Sequence, residues 1–169
     1  MAIERVKQYF AQYGMEGRIR EFSVSSATVE QAARALSVEE KRIAKSLAFW
    51  VHEQPILIVM AGDARVDNAA YKARFHVKAK MMDYDEVEKT VGHGVGGVCP
   101  FGINPGIEVY LDESLKRFDT VFPACGSSNS AIGLTLGELE RYSGAKGWVD
   151  VCRGWREEAP SGPEPARTA

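Results

Sequence analysis

The chain has 169 residues, of which 45% are hydrophobic and 26% charged, and its formal net charge is -2. This length suits one domain, and no run approaches the roughly 18 apolar residues that a membrane span requires. The charged start lacks the apolar core of a signal peptide, so we expect a cytoplasmic protein with no membrane partner. The net charge gives no overall attraction to nucleic acid, so DNA is not expected as a partner, and RNA would have to meet a local basic patch.

The cysteines and histidines form no metal-binding or disulfide pattern. Cys99, Cys125 and Cys152 are odd in number and widely spaced, which is typical of reduced thiols. Neither a C-x-x-C pair nor an H-x-x-x-H pair is present. We therefore expect no metal site.

The first part of the chain predicts short helices around one short strand. Apolar residues recur at helical spacing up to Gly14, which predicts a helix over residues 2–13. A strand is expected at residues 18–22. Thr28 and Ser37 each begin an S/T-x-x-E/Q capping box, which predicts two further helices.

A hairpin is expected next. Residues 43–51 alternate in the manner of a strand, and Lys45 shares a face with large aliphatic side chains. A turn then leads to residues 56–60, a continuous apolar run that is typical of a strand covered on both faces.

Helices and strands alternate irregularly in the second half. We predict helices from Asp67 to Phe75, from Asp83 to about Val91 and from Thr135 to Tyr142, a helical turn at residues 114–117, and strands at residues 77–81, 107–111, 119–122, 131–134 and 148–151. This order favours a mixed α/β (α+β) fold, a single compact domain over residues 1–156 whose curled, largely antiparallel mixed sheet is surrounded by helices. Residues 157–169 have the composition of a flexible tail.

A glycine-rich stretch, residues 92–102, lies between the predicted helix and strand. Gly92, Gly94 and Gly97 match G-x-G-x-x-G, but that nucleotide-binding motif needs a strand before it and a helix after it. Here a helix is expected before the glycines, and Pro100 prevents a helix from starting directly after them. We therefore expect either a plain connecting loop or a loop whose backbone shape has a function, and no nucleotide cofactor.

Two side chains are candidates for chemistry. Lys45, on an apolar strand face, must reach the surface, pair with an acid, or point into a cavity where an anionic or carbonyl-bearing ligand binds. Cys99 is a conceivable nucleophile with His93 nearby, although no cysteine-hydrolase signature surrounds it. A small, partly buried cysteine lining the loop is the favoured interpretation.

Four segments closely resemble the YbaK family, the aminoacyl-tRNA deacylases related to the editing domain of bacterial prolyl-tRNA synthetase. They run in the family order between about Thr28 and Leu139: Ala-Lys-Ser-Leu-Ala-Phe at 44–49, Val-Met-Ala-Gly-Asp at 59–63 with Val-Asp at 66–67, Gly-Gly-Val-Cys-Pro-Phe-Gly at 96–102, and Val-Tyr-Leu-Asp-Glu-Ser-Leu at 109–115. The most specific pair is the lysine after an alanine on a strand, combined with the later G-x-x-x-P loop.

The resemblance implies a YbaK-like fold and hydrolysis of the ester that joins a wrong amino acid to the tRNA 3′ end; no cofactor is expected. In the family the strand lysine contacts the substrate, and the G-x-x-x-P backbone helps to hold the ester and the attacking water. These roles fall on Lys45, Gly96, Gly97 and Pro100 here. Gly126 corresponds to a glycine near the terminal adenosine in relatives.

The resemblance leaves the amino acid open. Ser46, Val98 and Cys99 are expected to shape its pocket, and the expected substrate is tRNA(Pro) carrying a small non-cognate amino acid. The alternatives are a non-catalytic relative that binds tRNA or a synthetase, and a thiol hydrolase using Cys99. Cations at Lys72, Arg74, Lys78 and Lys80 could meet RNA phosphates or could simply be a solvated face.

Overall fold

The computed structural model describes residues 2–156, so the predicted tail lies outside the described residues. The helices are α1 Ala2–Ala11, α2 Val29–Leu36, α3 Asn68–Phe75, α4 Tyr84–Val91 and α5 Leu136–Ser143. The strands are β1 Arg20–Glu21, β2 Ile43–Val51, β3 Gln54–Ala61, β4 Arg65–Val66, β5 Glu108–Asp112, β6 Thr120–Pro123, β7 Ser130–Ala131, β8 Leu134–Thr135, β9 Gly147–Val149 and β10 Cys152–Arg153. No helix within this part of the chain is long and apolar enough to span a membrane.

A curled six-stranded sheet in the order β8-β6-β2-β3-β5-β9 forms the centre of the fold. The predicted hairpin is confirmed, because β2 and β3 pair antiparallel from Ala44 opposite Ala61 to Val51 opposite Gln54. β6 and β8 are also antiparallel, whereas β2–β6, β3–β5 and β5–β9 are parallel. The sheet is mixed as predicted. Three of its five strand pairs are parallel, however, which is more than a largely antiparallel sheet implies. Long connections, such as the one from β3 to β5 through α3 and α4, allow parallel neighbours.

The core lies on both faces of the hairpin. Residues 56–61 of β3 are all at most 1% exposed, which explains the unbroken apolar run in the sequence. Helix α1 packs Phe10 against Phe101 with ring centroids 4.7 Å apart, and α3 packs Tyr71 against Phe49 of β2 at 5.2 Å. Burial of each such side chain contributes on the order of 1.5–3 kcal/mol.

Most helix starts follow their caps. Thr28, Asp67, Asp83 and Thr135 each accept a hydrogen bond from a backbone N–H of the first turn, as the sequence predicts. Gly92 ends α4 with φ of +98°.

The capping box predicted at Ser37 is wrong. Ser37 has φ of +58° and ends α2, with its N–H donating to carbonyls of that helix. An N-cap residue needs an extended backbone, so Ser37 cannot begin a helix, and Glu40–Arg42 form only a 3-10 turn.

Two strand predictions are also wrong. Residues 77–81 contribute one isolated bridge, between Met81 and Phe49, because the edge of β2 is met there by an irregular segment. The predicted strand 131–134 is divided between β7, which pairs with β1, and β8, which pairs with β6. The apolar residues of this segment are buried as expected, but its two halves pair with two different strands.

A candidate active site between strand β2 and the glycine loop

A cavity of about 290 Å³ opens between the first half of β2 and the glycine loop. Its walls come from four segments that are distant in sequence and mostly apolar. The first wall is residues 26–29 with Ala32, and the second is residues 43–48. The third is Met81, Met82, Tyr84 and Val87 together with Val95, Gly96 and Val98 of the loop, and the fourth is Phe122, Ala124, Ser130 and Ala131. This size suits a small ligand with a few oriented polar contacts.

Lys45 is the cation in the wall of this cavity. Its Nζ donates a hydrogen bond to the Gly62 carbonyl at 3.2 Å, and no carboxylate of residues 2–156 lies within ion-pair distance of it. Burial lowers the pKa of Lys45, although Cys152 and Asp63 act in the opposite direction. Of the three possibilities open from the sequence, pairing with an acid is therefore not what the structure shows: Lys45 lines the cavity and has no ion-pair partner among residues 2–156.

Ser46 lies at a gap in the edge of β2. β6 pairs with β2 only at Ile43 and Ala44, and farther along this edge the next contacts are the hydrogen bonds from Met82 N–H to the Ala48 carbonyl and from Trp50 N–H to the Lys80 carbonyl. Peptide groups alternate between the two edges of a strand, so the N–H and C=O of Ser46 face the same edge as those of Ala48. The Ser46 Oγ is buried without a hydrogen-bond partner in the described chain. A buried hydroxyl without a partner is costly, so a ligand in the cavity is a natural partner for it.

The glycine loop packs too closely for side chains at two positions. A Cβ on Gly96, whose φ is +91°, would lie 2.9 Å from the Ala27 Cβ. A Cβ on Gly97 would lie 2.5 Å from the Gly126 carbonyl carbon. The Gly126 N–H also donates to the Gly97 carbonyl at 2.9 Å. The loop is therefore held firmly against the segment that follows β6, and this contact fixes its distance from β2.

Internal hydrogen bonds leave only part of the loop backbone available. The Gly97 N–H donates to the Gly94 carbonyl at 3.0 Å, the Cys99 N–H donates to His93 Nδ1 at 3.3 Å, and Pro100 has no N–H. Within residues 2–156 the N–H groups of Gly96 and Val98 have no such partner, and both residues line the cavity. The Val95 N–H, whose residue also lines the cavity, likewise has no such partner in this part of the chain, so the loop amides open to a ligand are those of Val95, Gly96 and Val98.

Cys99 and His93 belong to the core. Both side chains are 0% exposed, and the Cys99 Sγ lies 3.8 Å from His93 Nδ1. Burial raises the pKa of Cys99 to about 12 and, together with the charge of Arg5, lowers the pKa of His93 to about 4. A neutral thiol that no substrate can reach is not an activated nucleophile, so the placement argues against the thiol-hydrolase alternative.

The residues expected at the site divide into two groups. Lys45, Ser46, Gly96 and Val98 line the cavity. Gly97, Cys99, Pro100 and Gly126 lie outside its wall and are buried behind the loop. In particular, Cys99 does not shape the pocket by contact as expected, because its side chain points into the core, where its Sγ is 3.7 Å from the Phe101 carbonyl.

Sequence reasoning missed the rim of the cavity. Met81, Tyr84 and Val95 line its mouth and are 56%, 75% and 52% exposed. The one available signal was Tyr84, an aromatic residue at the start of a helix among acids, which no hydrophobic period required. The described residues also contain no group of three or more His, Cys, Asp or Glu side chains arranged to hold a metal ion.

Comparison with known proteins shows the family to which the chain belongs. Residues 24–142 match the family model of the aminoacyl-tRNA editing domain. The chain is 53% identical over 156 residues to the uncharacterised protein YwhH of Bacillus subtilis (strain 168), covering 92% of this chain and 99% of that protein. It is also similar to proline–tRNA ligase of the same organism, at 29% identity over 90 residues, which is 53% of this chain and 16% of that enzyme.

A solved structure of a proposed trans-editing enzyme for prolyl-tRNA synthetase superposes with a TM-score of 0.81. It is 28% identical, and the match covers 90% of this chain and 98% of that one. The family model spans the hairpin, the glycine loop and all four walls of the cavity. On this evidence the resemblance to YbaK proteins is confirmed, and the chain belongs to the aminoacyl-tRNA editing domain family.

Proposed function

We propose that this protein is a free-standing deacylase that hydrolyses the 3′ ester of mischarged aminoacyl-tRNA. The observation that carries the proposal is the placement of Lys45, a cation without a carboxylate partner, in the wall of a cavity that also holds the free amides of Gly96 and Val98. An aminoacyl ester needs a positioned water and donors for the developing oxyanion, and this set provides both kinds of contact.

The proposed mechanism uses positioning rather than an acid–base triad. The ester carbonyl lies between β2 and the loop, where the N–H groups of Gly96 and Val98 donate to the oxygen as it gains negative charge. The Lys45 ammonium adds a positive charge on the opposite wall. Water attacks the carbonyl carbon, the ester C–O bond breaks, and the ribose oxygen leaves with a proton, giving free amino acid and tRNA.

Ser46 is proposed to hold the aminoacyl group. Its buried Oγ and the backbone C=O on the open strand edge can accept hydrogen bonds from the α-amino group of the substrate. The surrounding walls, formed by Ala44, Ala48 and Val98 among others, are small and apolar. We propose tRNA(Pro) carrying a small non-cognate amino acid as the substrate, in keeping with the similarity to proline–tRNA ligase and to the proposed trans-editing enzyme.

A panel of mischarged tRNAs tests the proposal. Lys45→Met keeps the aliphatic stem but removes the charge, and we expect it to lose about 100- to 1,000-fold in deacylation rate, as for removal of one oxyanion donor. Lys41→Met is the matched control, because Lys41 lies outside the cavity and pairs only with Glu39 at 3.6 Å on the surface. Unchanged hydrolysis by Lys45→Met would refute this role of the lysine.

The same panel separates the alternative function. A protein that binds tRNA or a synthetase without catalysis would retain its binding partner but would not accelerate ester hydrolysis. Every mischarged tRNA would then lose its amino acid only at the rate of the enzyme-free reaction. Hydrolysis of at least one mischarged tRNA, sensitive to Lys45→Met and insensitive to Lys41→Met, is the result expected for a deacylase.

A further inference from the structure

The mouth of the cavity carries an unusual exposed apolar rim. Met81, Tyr84 and Val95 are among the few large hydrophobic side chains of residues 2–156 that are more than half exposed. The Tyr84 ring is 75% exposed and stacks on no other ring and under no cation of the described chain. Exposed apolar side chains grouped beside a cavity are typical of a surface that a ligand covers.

A cationic segment leads to this rim. Residues 68–82 contain no acid, and Lys72, Lys78 and Lys80 are exposed. None of these three lysines forms an ion pair with the described chain. The Lys80 carbonyl accepts a hydrogen bond from Trp50 N–H, which fixes the end of the segment against β2, and Met81 of the rim follows directly.

The charge reverses beyond the rim. The first turn of α4 carries Asp83, Asp85 and Glu86 around Tyr84. A polyanion is therefore attracted along the lysines and repelled at the start of α4, so that only an uncharged part of it can rest on the Tyr84 ring. A strand with phosphates on one side and flat, uncharged bases on the other meets both conditions.

We propose that Tyr84, supported by Met81 and Val95, is a stacking platform for unpaired bases of an RNA 3′ end whose phosphates follow Lys78 and Lys80. The terminal aminoacylated nucleotide then enters the cavity, and the platform takes unpaired nucleotides that precede it. This inference rests on the proposed function, because it assigns the path by which an aminoacyl-tRNA reaches Lys45. Every base has a face that can stack, so the platform contributes affinity without reading sequence.

Equilibrium binding of a non-acylated oligonucleotide tests the platform without any turnover. The probe is a short single-stranded RNA ending in CCA with a 5′ fluorophore, followed by fluorescence anisotropy. We expect Tyr84→Ala to weaken binding about 5- to 150-fold, which corresponds to loss of one base–aromatic stack, and Tyr84→Phe to bind like the wild type. Tyr13→Ala is the control, since Tyr13 is also an exposed tyrosine (42%) but lies outside the cavity wall.

The salt dependence separates the lysines from the platform. Lys78→Ala with Lys80→Ala should reduce the slope of log affinity against log salt by about 1.4, at roughly 0.7 for each phosphate contact with a single strand. Tyr84→Ala should leave that slope unchanged, because stacking releases no counterion. A slope unaffected by removal of both lysines would overturn the proposed phosphate path.

The outcomes also distinguish this inference from the proposed function. Tyr84-dependent binding without hydrolysis of any mischarged tRNA would support the platform and refute the deacylase. Hydrolysis combined with equal oligonucleotide affinity of wild type and Tyr84→Ala would refute the platform alone. Tyr84-dependent self-association in sedimentation, with no effect of Tyr84 on RNA binding, would assign the rim to a second copy of the chain and overturn the proposal.

Discussion

Replacement of Gly97 by alanine tests whether close packing holds the glycine loop. The added Cβ would lie 2.5 Å from the Gly126 carbonyl carbon, 2.6 Å from Ser127 N and 2.8 Å from the Gly126 oxygen. All three atoms belong to backbone, so no side chain can rotate away. An ordinary carbon contact begins near 3.4 Å, so the loop must retreat by about 0.9 Å, the difference between 3.4 and 2.5 Å.

The expected cost follows from this displacement. Overpacking costs about 1–3 kcal/mol, and weakening the hydrogen bond from Gly126 N–H to the Gly97 carbonyl adds about 0.5–1.5 kcal/mol. The backbone of Gly97 does not have a positive φ, so alanine can adopt its conformation. Alanine also lowers the conformational entropy of the unfolded chain, which stabilises the folded protein by about 0.4–1 kcal/mol. The net loss in the free energy of unfolding should be about 0.5–4 kcal/mol.

Gly94→Ala is the matched control in the same loop. Its Cβ would meet nothing closer than the Glu88 Oε2 at 3.9 Å, and Gly94 also lacks a positive φ. We expect Gly94→Ala to leave stability unchanged or to raise it by up to about 1 kcal/mol. Urea unfolding followed by tryptophan fluorescence measures both variants, and equal midpoints for Gly97→Ala and Gly94→Ala would refute the packing argument. Deacylation should fall with Gly97→Ala, since the amides of Gly96 and Val98 move with the loop.

Two further predictions concern the buried pair behind the loop. The pKa of His93 is lowered to about 4, so the folded protein binds the histidine proton only at a lower pH than the unfolded chain does. The wild type should therefore lose up to about 3 kcal/mol of stability as the pH falls from 6.5 to 4, and none of this loss occurs above pH 6.5. His93→Asn cannot titrate and keeps an acceptor for Cys99 N–H, so its unfolding free energy should fall less over this range, and parallel pH profiles of the two proteins would contradict the assignment. Cys99→Ala should cost about 1 kcal/mol of stability through the lost buried atom but leave turnover unchanged, whereas inactivity of the folded variant would restore the thiol mechanism.

Local sequence patterns were sufficient where neighbouring residues decide the structure. The alternating run 43–51 became β2 with the predicted bounds, and Asp83 and Gly92 mark the two ends of α4 as predicted. Caps and strand periods depend on hydrogen bonds and burial within a few residues, so they can be read without a fold. Ser37 shows the limit of this approach, because a capping box has the same letters whether the chain turns into a helix or out of one.

Only part of the candidate site could be predicted from the sequence. Lys45 stood out because a charge on an apolar face requires an explanation, and Ser46, Gly96 and Val98 were expected beside it through the family resemblance. The exposed rim around Tyr84 was missed although that aromatic residue was a signal, since no local rule tells a solvated tyrosine from one at the mouth of a cavity. Cys99 illustrates the opposite case: its neighbours in sequence line the cavity, while its own side chain is in the core.

The sequence by itself determined the β2–β3 hairpin, most helix ends and the family, because these depend on residue patterns over short spans. The tertiary structure decided the sheet order, the gap in the β2 edge at Ser46 and the distance between Lys45 and the glycine loop. It also decided which loop amides are free, since Gly97 and Cys99 use theirs on Gly94 and His93 while Gly96 and Val98 do not. These features arise where segments far apart in the chain meet, and the energy of such contacts is not encoded in any one segment.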